Sequence, residues 1–297
     1  MKHGIALSVS SSFLFAGLYY YTTVVDPLSG TSIFAWRVLL ALPALALFIT
    51  RARGWSDVRN VARRLRREIR LCLALMLSAA LIGLQLWLFT WAPLHQMALD
   101  VSMGYFLLPM VMVLLGRLVY GERLTRIQSI ALSIVLIGVV HELFLTRTFS
   151  WATAAVMFGY PPYFMLHRAL RIGSFSTLWY DMLLLVPAAL FILCTQETSV
   201  LSQFASFPRL FVVVPVLGLI SSLALICYLS ASRLLPLGLF GILGYFEPIL
   251  LFWVAFLFLG EPMTAAGWLT YIPIWIGVLL IAGEGLFKWR REQARGH

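Results

Sequence analysis

Charged residues are scarce in this sequence. Of its 297 residues only 11% are Asp, Glu, Lys or Arg, whereas 61% are hydrophobic, and the mean hydropathy is +0.92. A soluble domain carries about 25% charged residues, so this composition excludes an ordinary soluble domain. It is typical of a protein that crosses a membrane several times.

Cysteine is also rare, and motifs for catalysis or nucleotide binding are missing. Cys72, Cys194 and Cys227 all lie in apolar segments, without a CxxC pair or a histidine at ligand spacing. This pattern argues against a disulfide framework and against a zinc site. The sequence lacks HExxH, GxGD, GxSxG and a phosphate-binding loop, which disfavours a membrane enzyme. We therefore expect no catalytic residue, no metal and no cofactor.

The net charge is +10, yet the basic residues do not suggest a nucleic-acid-binding surface. Eight of the twenty arginines lie within residues 51–70, where Val61, Leu65 and Ile69 follow one another at one-turn spacing. No aromatic residues alternate with these arginines, as stacking on bases would require. The pattern favours an amphipathic helix that binds anionic lipid at the inner leaflet.

Apolar runs of membrane-spanning length follow one another along the chain. A transmembrane helix needs about 20 residues, and breaks at charges, proline, glycine and polar runs separate ten such segments. The first is longer than the core of a signal peptide and lacks an A-x-A cleavage site, so we expect it to remain as a helix. The predicted spans are 5–25, 31–50, 71–91, 100–120, 125–145, 151–167, 175–194, 210–230, 237–259 and 265–287.

The distribution of lysine and arginine orients these spans. If the N-terminus is cytoplasmic, nineteen of the 22 lysines and arginines fall on the inner side. Arg147 and Arg209 fall on the outer side, and Arg37 lies inside the second span. This strong positive-inside bias predicts ten spans with both termini in the cytoplasm. We expect a multi-pass protein of the bacterial inner membrane.

One phrase occurs twice in the sequence, first as GYFLLPMVMVLLGRLVYGERL and later as GYFEPILLFWVAFLFLGEPM. Aligning the Gly-Glu pairs near their ends gives an offset of 139 residues, which pairs Pro109 with Pro248 and Gly138 with Gly277. Arginines follow the first Gly-Glu pair but not the second, as expected if the first turn faces the cytoplasm and the second faces outward.

The repeat divides the chain into two segments, residues 1–145 and 146–297, with five predicted spans each. Because five is odd, the second segment must cross the membrane upside down. The sequence therefore predicts an all-α integral membrane protein built from two inverted five-helix repeats. This is a transporter architecture, in which substrate binds near the midplane between the repeats.

Several motifs support a family assignment. The stretch LDVSMGYFLLP has Asp100 before Gly-Tyr-Phe, LIGLQLWLFTWA carries Gln85, WRVLLA carries Arg37, and Asp181 lies in the seventh predicted span. These residues resemble the EamA-type drug/metabolite transporter family, most closely its RarD-like branch, whose motif reads L-E-x-S-L-G-Y-F-x-N-P. The ninth span departs from the branch at Gly244, where relatives tend to have glutamine. It also departs at Glu247, where they tend to have a small residue.

The resemblance implies secondary transport across the inner membrane, usually export of amino-acid-like metabolites or drugs. Some relatives release opine-type metallophores, which are made from amino acids. We expect an exporter of a small amino-acid-derived zwitterion. A permease for neutral compounds such as chloramphenicol, a membrane enzyme and a membrane scaffold remain the alternatives. Expected partners are the small-molecule substrate, anionic lipid at residues 51–70, protons as coupling ion and a second copy of the chain in a homodimer. We expect no binding of nucleic acid.

Three ionisable residues inside spans are the first candidates for the transport site, because such residues are costly in a bilayer unless paired or hydrated. Arg37 either reaches the outer headgroups or anchors a substrate carboxylate. Glu247 either belongs to a structural ion pair or carries a coupling proton or a substrate amine. Asp181 either lies in an inner vestibule or is an interfacial charge. The other candidates for substrate binding are Gln85, Tyr105, Gly244 and Tyr245. The candidates for a helix break or close packing are Gly104, Pro109, Gly241 and Pro248.

Overall fold

The computed structural model describes residues 2–120, 125–146, 150–170, 172–196, 198–235 and 243–295, and within those ranges it is helical without a β-strand. A 3₁₀ turn, Ala92–His95, follows the fourth helix, and a π-helical turn, Val254–Phe258, extends the eleventh. The helices are α1 (Lys2–Tyr21), α2 (Gly30–Arg51), α3 (Trp55–Leu65), α4 (Ile69–Trp91), α5 (Ala98–Tyr120), α6 (Arg126–Thr146), α7 (Trp151–Leu170), α8 (Ser174–Thr195), α9 (Val200–Ser206), α10 (Leu210–Leu234), α11 (Phe246–Trp253) and α12 (Ala265–Arg295). Helix therefore occurs in every predicted span, and α3 and α9 are additional.

Four helical segments of the described chain are long and apolar enough to cross a membrane. They are Gly30–Arg51, Ile69–His95, Phe175–Thr195 and Leu210–Tyr228. Shorter apolar helices occupy Ala98–Met112, Arg126–His141, Phe246–Phe258 and Gly267–Leu280. The chain is thus a multi-pass membrane protein, while the number of ten spans stays a prediction.

Helix α3 uses its apolar face differently from the sequence-based expectation. Val58 and Val61 are buried, and Leu65 packs against the same hydrophobic core. The hydroxyl of Tyr180 in α8 donates a hydrogen bond of 2.9 Å to the carbonyl of Val58. Ile69 does not continue this face, because α3 ends at Leu65 and Ile69 begins α4 with 71% of its surface exposed. The protein therefore covers the apolar face of α3, and only the charged face is left for lipid.

Helices α2 and α8 correspond to one another residue by residue. Each has 22 residues, with an ionisable residue at the eighth position (Arg37 or Asp181) and a proline at the fourteenth (Pro43 or Pro187). A proline inside a helix removes one backbone hydrogen bond and favours a bend. The two helices pack against each other. Opposite charges thus occupy corresponding positions of two neighbouring helices.

Helices α6 and α12 make reciprocal close contacts. A Cβ atom at Gly138 of α6 would lie 2.7 Å from the carbonyl oxygen of Thr270 in α12. A Cβ atom at Gly277 of α12 would lie 3.0 Å from the carbonyl oxygen of Ala131 in α6. The two glycines differ by 139 in number, and so do their two partners. Contacts of this form are those expected between segments related by a two-fold rotation.

A second reciprocal set involves two glycines and two leucines. Gly83 of α4 faces the side chain of Leu185 in α8, and Gly218 of α10 faces the side chain of Leu40 in α2. The third and eighth predicted spans thus pack on the seventh and second in the same manner. These contacts bring α2, α4, α8 and α10 together around the polar residues described next, while the inverted repeat stays a prediction.

Candidate functional site

Polar side chains from five helices meet inside the protein. Helix α2 contributes an arginine, α5 and α7 contribute a tyrosine each, α10 contributes a serine and a tyrosine, and α11 contributes a glutamate. Hydrogen bonds or electrostatic interactions connect them. We call this set the central cluster, and its members are Arg37, Tyr105, Tyr160, Ser221, Tyr228 and Glu247.

Arg37 is the cation of the central cluster. Its side chain does not extend to the surface, because only 6% of the residue is exposed. The Nε atom donates a hydrogen bond of 3.2 Å to the hydroxyl of Ser221, and the guanidinium lies 5.2 Å from the centroid of the Phe89 ring. Its Nη1 atom is buried and has no hydrogen-bond partner among the described residues. Guanidinium groups can bind carboxylates through two parallel N–H donors, so an unpartnered Nη1 atom makes Arg37 a candidate for contact with an anion.

Glu247 is the carboxyl group of the central cluster and lies in the first turn of α11. The sequence placed it about ten residues into a helix beginning at 237, a start that lies outside the described residues. Leu243 is helical, residues 244–245 form a turn, and α11 begins at Phe246. This start puts Pro248 at the third helical position, where its missing N–H would have no acceptor inside the helix. Residues 236–242, which include the predicted packing residue Gly241, lie outside the described residues.

Arg37 and Glu247 interact without a direct contact. Each charge acts electrostatically on the other. Within the described ranges, however, the ion pairs are Arg64–Glu68, His167–Asp181 and Arg209–Asp26. Within the described part of the chain, Arg37 and Glu247 therefore interact in the interior without forming a direct ion pair.

Tyrosine hydroxyls form the remaining wall of the central cluster. The hydroxyls of Tyr105 and Tyr160 lie 3.0 Å apart, and either can donate. Tyr228 interacts electrostatically with Tyr160 and Glu247. A hydroxyl both donates and accepts, so this wall suits a carboxylate as well as an amine. Tyr105 was predicted from the sequence, whereas Tyr160, Tyr228 and Ser221 were missed. A signal for Tyr160 was available in the Pro161-Pro162 pair that follows it inside an apolar span.

Asp181 belongs to a separate group of polar residues, which we call the second cluster: Ser78, Tyr163, His167 and Asp181. The residue is fully buried within the protein. Its Oδ2 atom accepts a hydrogen bond of 3.3 Å from the hydroxyl of Tyr163 and lies 3.7 Å from Nε2 of His167. The same Nε2 atom lies 2.9 Å from the hydroxyl of Ser78. Oδ1 of Asp181 has no hydrogen-bond partner among the described residues.

The second cluster contains serine, histidine and aspartate, but not in the arrangement of a catalytic triad. In a triad the aspartate holds one ring nitrogen of the histidine while the other nitrogen activates the serine. Here Ser78 and Asp181 face the same nitrogen of His167. His167 was not predicted from the sequence. It is an ionisable residue in an apolar span, four residues after Tyr163, and this position was a usable signal.

Gln85 borders the central cluster. It is buried, and its amide nitrogen donates a hydrogen bond of 2.8 Å to the carbonyl of Ala155 in α7. The same amide lies against Gly159, next to Tyr160 in the chain, where a Cβ atom would overlap it. The Oε1 atom of Gln85 has no partner among the described residues. The amide therefore fixes α4 against α7 beside the central cluster.

The structure does not bring Tyr245 into the central cluster. Tyr245 packs in a hydrophobic core with Phe106, Phe252 and Tyr271, because the turn before α11 directs it toward α5 and α12. Gly244 is exposed in that turn. Tyr245 therefore does not line the central cluster, although it lies only two residues before Glu247 in the sequence.

The predicted packing residues lie at helix contacts where they are described. A Cβ atom at Gly104 of α5 would lie 2.6 Å from Cβ of Val156 and 2.9 Å from the carbonyl oxygen of Thr153, both in α7. Pro109 lies within α5. The carbonyl of Pro248 accepts a hydrogen bond of 3.4 Å from the hydroxyl of Ser102. Helix α5 is thus held closely between α7 and α11.

The Gly-Glu turn after α11 joins the two predicted repeats. Gly260 adopts a φ of 66°, which favours glycine, and Glu261 is directed toward the first turn of α5. Its two carboxylate oxygens accept hydrogen bonds from the backbone N–H groups of Ala98 at 2.6 Å and Leu99 at 2.8 Å. Burial raises the pKa of the Glu261 carboxyl, while the two N–H groups oppose that shift. We call this arrangement the Glu261 clamp. The sequence identified the turn only as a mark of the repeat.

Known proteins similar to this chain are described as transporters or carry the name RarD. The sequence profile of the EamA-like transporter family matches residues 2–141. The "Chloramphenicol-sensitive protein RarD" of Pseudomonas aeruginosa is 44% identical over 99% of this chain and 98% of its own length. An uncharacterised transporter of Pasteurella multocida is 36% identical over 98% and 99%, respectively. "Protein RarD" of Escherichia coli is 24% identical over 98% and 97%.

One solved crystal structure has the same arrangement of helices. It aligns with 93% of this chain and 95% of its own length, with a TM-score of 0.53 and 16% sequence identity. At this identity the likeness concerns the fold alone.

Proposed function

The chain belongs to the EamA-like transporter family, in its RarD-like branch, and we propose that it is a secondary transporter of the bacterial inner membrane that exports a small amino-acid-derived zwitterion. In this proposal the chain forms two inverted repeats and binds its substrate at the central cluster, between the repeats. One observation carries the proposal: Arg37 and Glu247 face the same interior region without forming a direct ion pair.

The opposite charges of the central cluster match the two charges of a zwitterion. An unpaired ion in an apolar interior costs several kcal/mol, so a ligand that compensates both ions gains affinity. The substrate carboxylate would meet the free Nη1 edge of Arg37, and the substrate ammonium would meet Glu247. The hydroxyls of Tyr105 and Tyr160 would satisfy the remaining polar atoms. Amino acids and opine-type metallophores both present this combination of groups.

Transport of neutral compounds such as chloramphenicol is the second candidate, and the name of the Pseudomonas aeruginosa relative favours it. A neutral molecule bound there would exclude water from Arg37 and Glu247. It would bring no opposite charge to compensate for the hydration that these two groups lose. Buried charges are stabilised by paired charges and hydrogen bonds. The polarity of the central cluster therefore supports the zwitterion over the neutral drug.

The two candidates differ in what accumulates when the protein is removed. Deletion of the gene should raise the intracellular level of an amino-acid-derived zwitterion and lower its extracellular level, as measured by mass spectrometry. Arg37→Ala should reproduce this effect. Arg37→Lys should recover it only in part, because lysine lacks the two-donor edge. Arg209→Ala removes an exposed arginine paired with Asp26 and serves as the matched control. Altered sensitivity to neutral drugs without a change in any zwitterion would reject the proposed substrate class.

The charged face of α3 supports a further part of the proposal, the binding of anionic lipid. Arg59, Arg63 and Arg64 are exposed on this helix, whose apolar face is already covered. Attraction of a basic segment to an anionic leaflet amounts to about 1 kcal/mol per residue and weakens with salt. Binding of the purified protein to anionic lipid in nanodiscs should therefore fall in Arg59→Gln/Arg63→Gln. An equal affinity in both proteins would reject the proposal.

A further inference from the structure

The second cluster places an unsatisfied buried carboxylate beside a histidine, away from the central cluster. We propose that His167 and Asp181 form the proton-binding site that drives transport, and that this site is separate from the substrate site. The pair lies in the interior, with Asp181 fully buried and Oδ1 of that residue unpartnered among the described residues. Buried ionisable pairs of this kind in membrane transporters are suited to carrying protons.

The geometry allows the pair to hold one proton without moving its neighbours far. When His167 is neutral, the hydroxyl of Ser78 can donate to Nε2 across 2.9 Å, and Asp181 carries the negative charge. A proton that binds Nε2 reverses the bond, so that the imidazolium donates to the Ser78 oxygen. The positive ring then lies 3.7 Å from Oδ2 of Asp181. Uptake of one proton therefore changes the pair from net negative to neutral.

Among the described side chains, the helices packed against this pair direct few other ionisable groups toward it. Helix α4 contributes Ser78, whose hydroxyl does not ionise near neutral pH, and α7 contributes Tyr163. Tyr160 of α7 and Tyr228 of α10 are the nearest ionisable residues of the central cluster to Tyr163, and both are neutral phenols at neutral pH. The charged residues described on α2, which packs against α8, are Arg37 in the central cluster and Arg51, which is exposed at the helix end. The exposed arginines of α3 lie on the face of that helix opposite to its buried valines.

Helix α7 connects the proton pair to the proposed substrate site. Tyr163 belongs to the second cluster and Tyr160 to the central cluster, and the rings of both contact the ring of Phe164, with centroids 5.6 and 5.8 Å away. Between them lie Pro161 and Pro162, which cannot donate backbone hydrogen bonds to the preceding turn. A helix bends most readily at such a position. Neutralising the pair can therefore change the bend of α7 and shift Tyr160 against Tyr105.

The first test counts protons and needs no substrate. Purified protein in nanodiscs is acidified from about pH 8 to about pH 5, the range in which histidine titrates, and proton uptake is measured with a pH dye. Wild type should take up about one proton more per chain than Asp181→Asn and His167→Gln. Asp26→Asn is the matched control, because it makes the same substitution at an exposed aspartate paired with Arg209, and it should leave the proton uptake unchanged. Equal uptake by wild type and Asp181→Asn would overturn the proposal.

The second test rests on the proposed transport function. Proteoliposomes receive a mixture of radiolabelled protein amino acids, and proton-driven accumulation is compared with exchange across the membrane without a gradient. Asp181→Asn should lose accumulation and keep exchange, which also shows that the variant is folded. Loss of both activities, or full retention of both, would overturn the coupling role. If wild type moves no labelled amino acid, the proposed substrate class fails, and the proton count still decides the assignment of the pair.

Discussion

Replacing Glu261 by alanine should lower the thermal stability of the protein, because the Glu261 clamp satisfies two backbone N–H groups at the start of α5. Those groups have no acceptor within the helix. The carboxylate accepts both at 2.6 and 2.8 Å while being only 6% exposed. Loss of an N-terminal cap costs about 0.5–2 kcal/mol and hydrogen bonds to charged groups are stronger than average. Burial opposes the charged form, so we expect a loss of about 2 kcal/mol.

This loss can be measured by thermal unfolding of the purified protein in detergent. For a chain of this size about 1 kcal/mol corresponds to about 2 °C or more, so Tm should fall by about 4 °C. Glu261→Gln keeps one acceptor oxygen and should fall between wild type and Glu261→Ala. Glu68→Ala is the control, since Glu68 forms an exposed pair with Arg64 at 3.3 Å and should change Tm by about 1 °C or less. A Tm of Glu261→Ala equal to that of Glu68→Ala would refute the reasoning.

Three further predictions concern the site, the packing and the topology. Glu247→Gln should abolish gradient-driven transport while the protein still reaches the membrane, because glutamine carries no charge for a substrate amine; wild-type transport would remove Glu247 from the mechanism. Gly104→Ala should lower stability by about 1–3 kcal/mol through overlap with α7, whereas Gly17→Ala, with open space around it in α1, should not lower Tm in the same thermal assay. A reporter active only in the periplasm should be active when fused after Met97 and silent after Asn60; the reverse result would reject the orientation.

The central cluster could be predicted in part, because an ionisable residue inside an apolar span has a distinct sequence signal. Arg37 and Glu247 were found in this way. Tyr160 and Tyr228 were not, since aromatic residues make up 14% of the chain and most of them pack in cores or lie at interfaces. Whether a tyrosine lines a site depends on which helices approach it. That information resides in tertiary contacts rather than in local periodicity.

The fold shows the same division between local and tertiary information. The apolar period within residues 51–70 predicted a helix, and α3 is present, but periodicity does not tell whether lipid or protein covers the apolar face. The hydrogen bonds of the Glu261 clamp could not be predicted from the sequence for a related reason. Its acceptors face the backbone N–H groups of Ala98 and Leu99, which carry no side-chain signature. A carboxylate that binds backbone can be recognised only once the two segments are seen together.

The reciprocal contact between α6 and α12 has a consequence for how the sequence can vary. Gly138 and Gly277 line one shared interface, and each faces a backbone carbonyl of the opposite helix. A larger residue at either position would push the same two helices apart, and a small residue at one position gives no relief to a large one at the other. The space at this one interface therefore limits the size of the residue at both positions. We expect natural variants to keep both positions small together, although 139 residues separate them in the gene product.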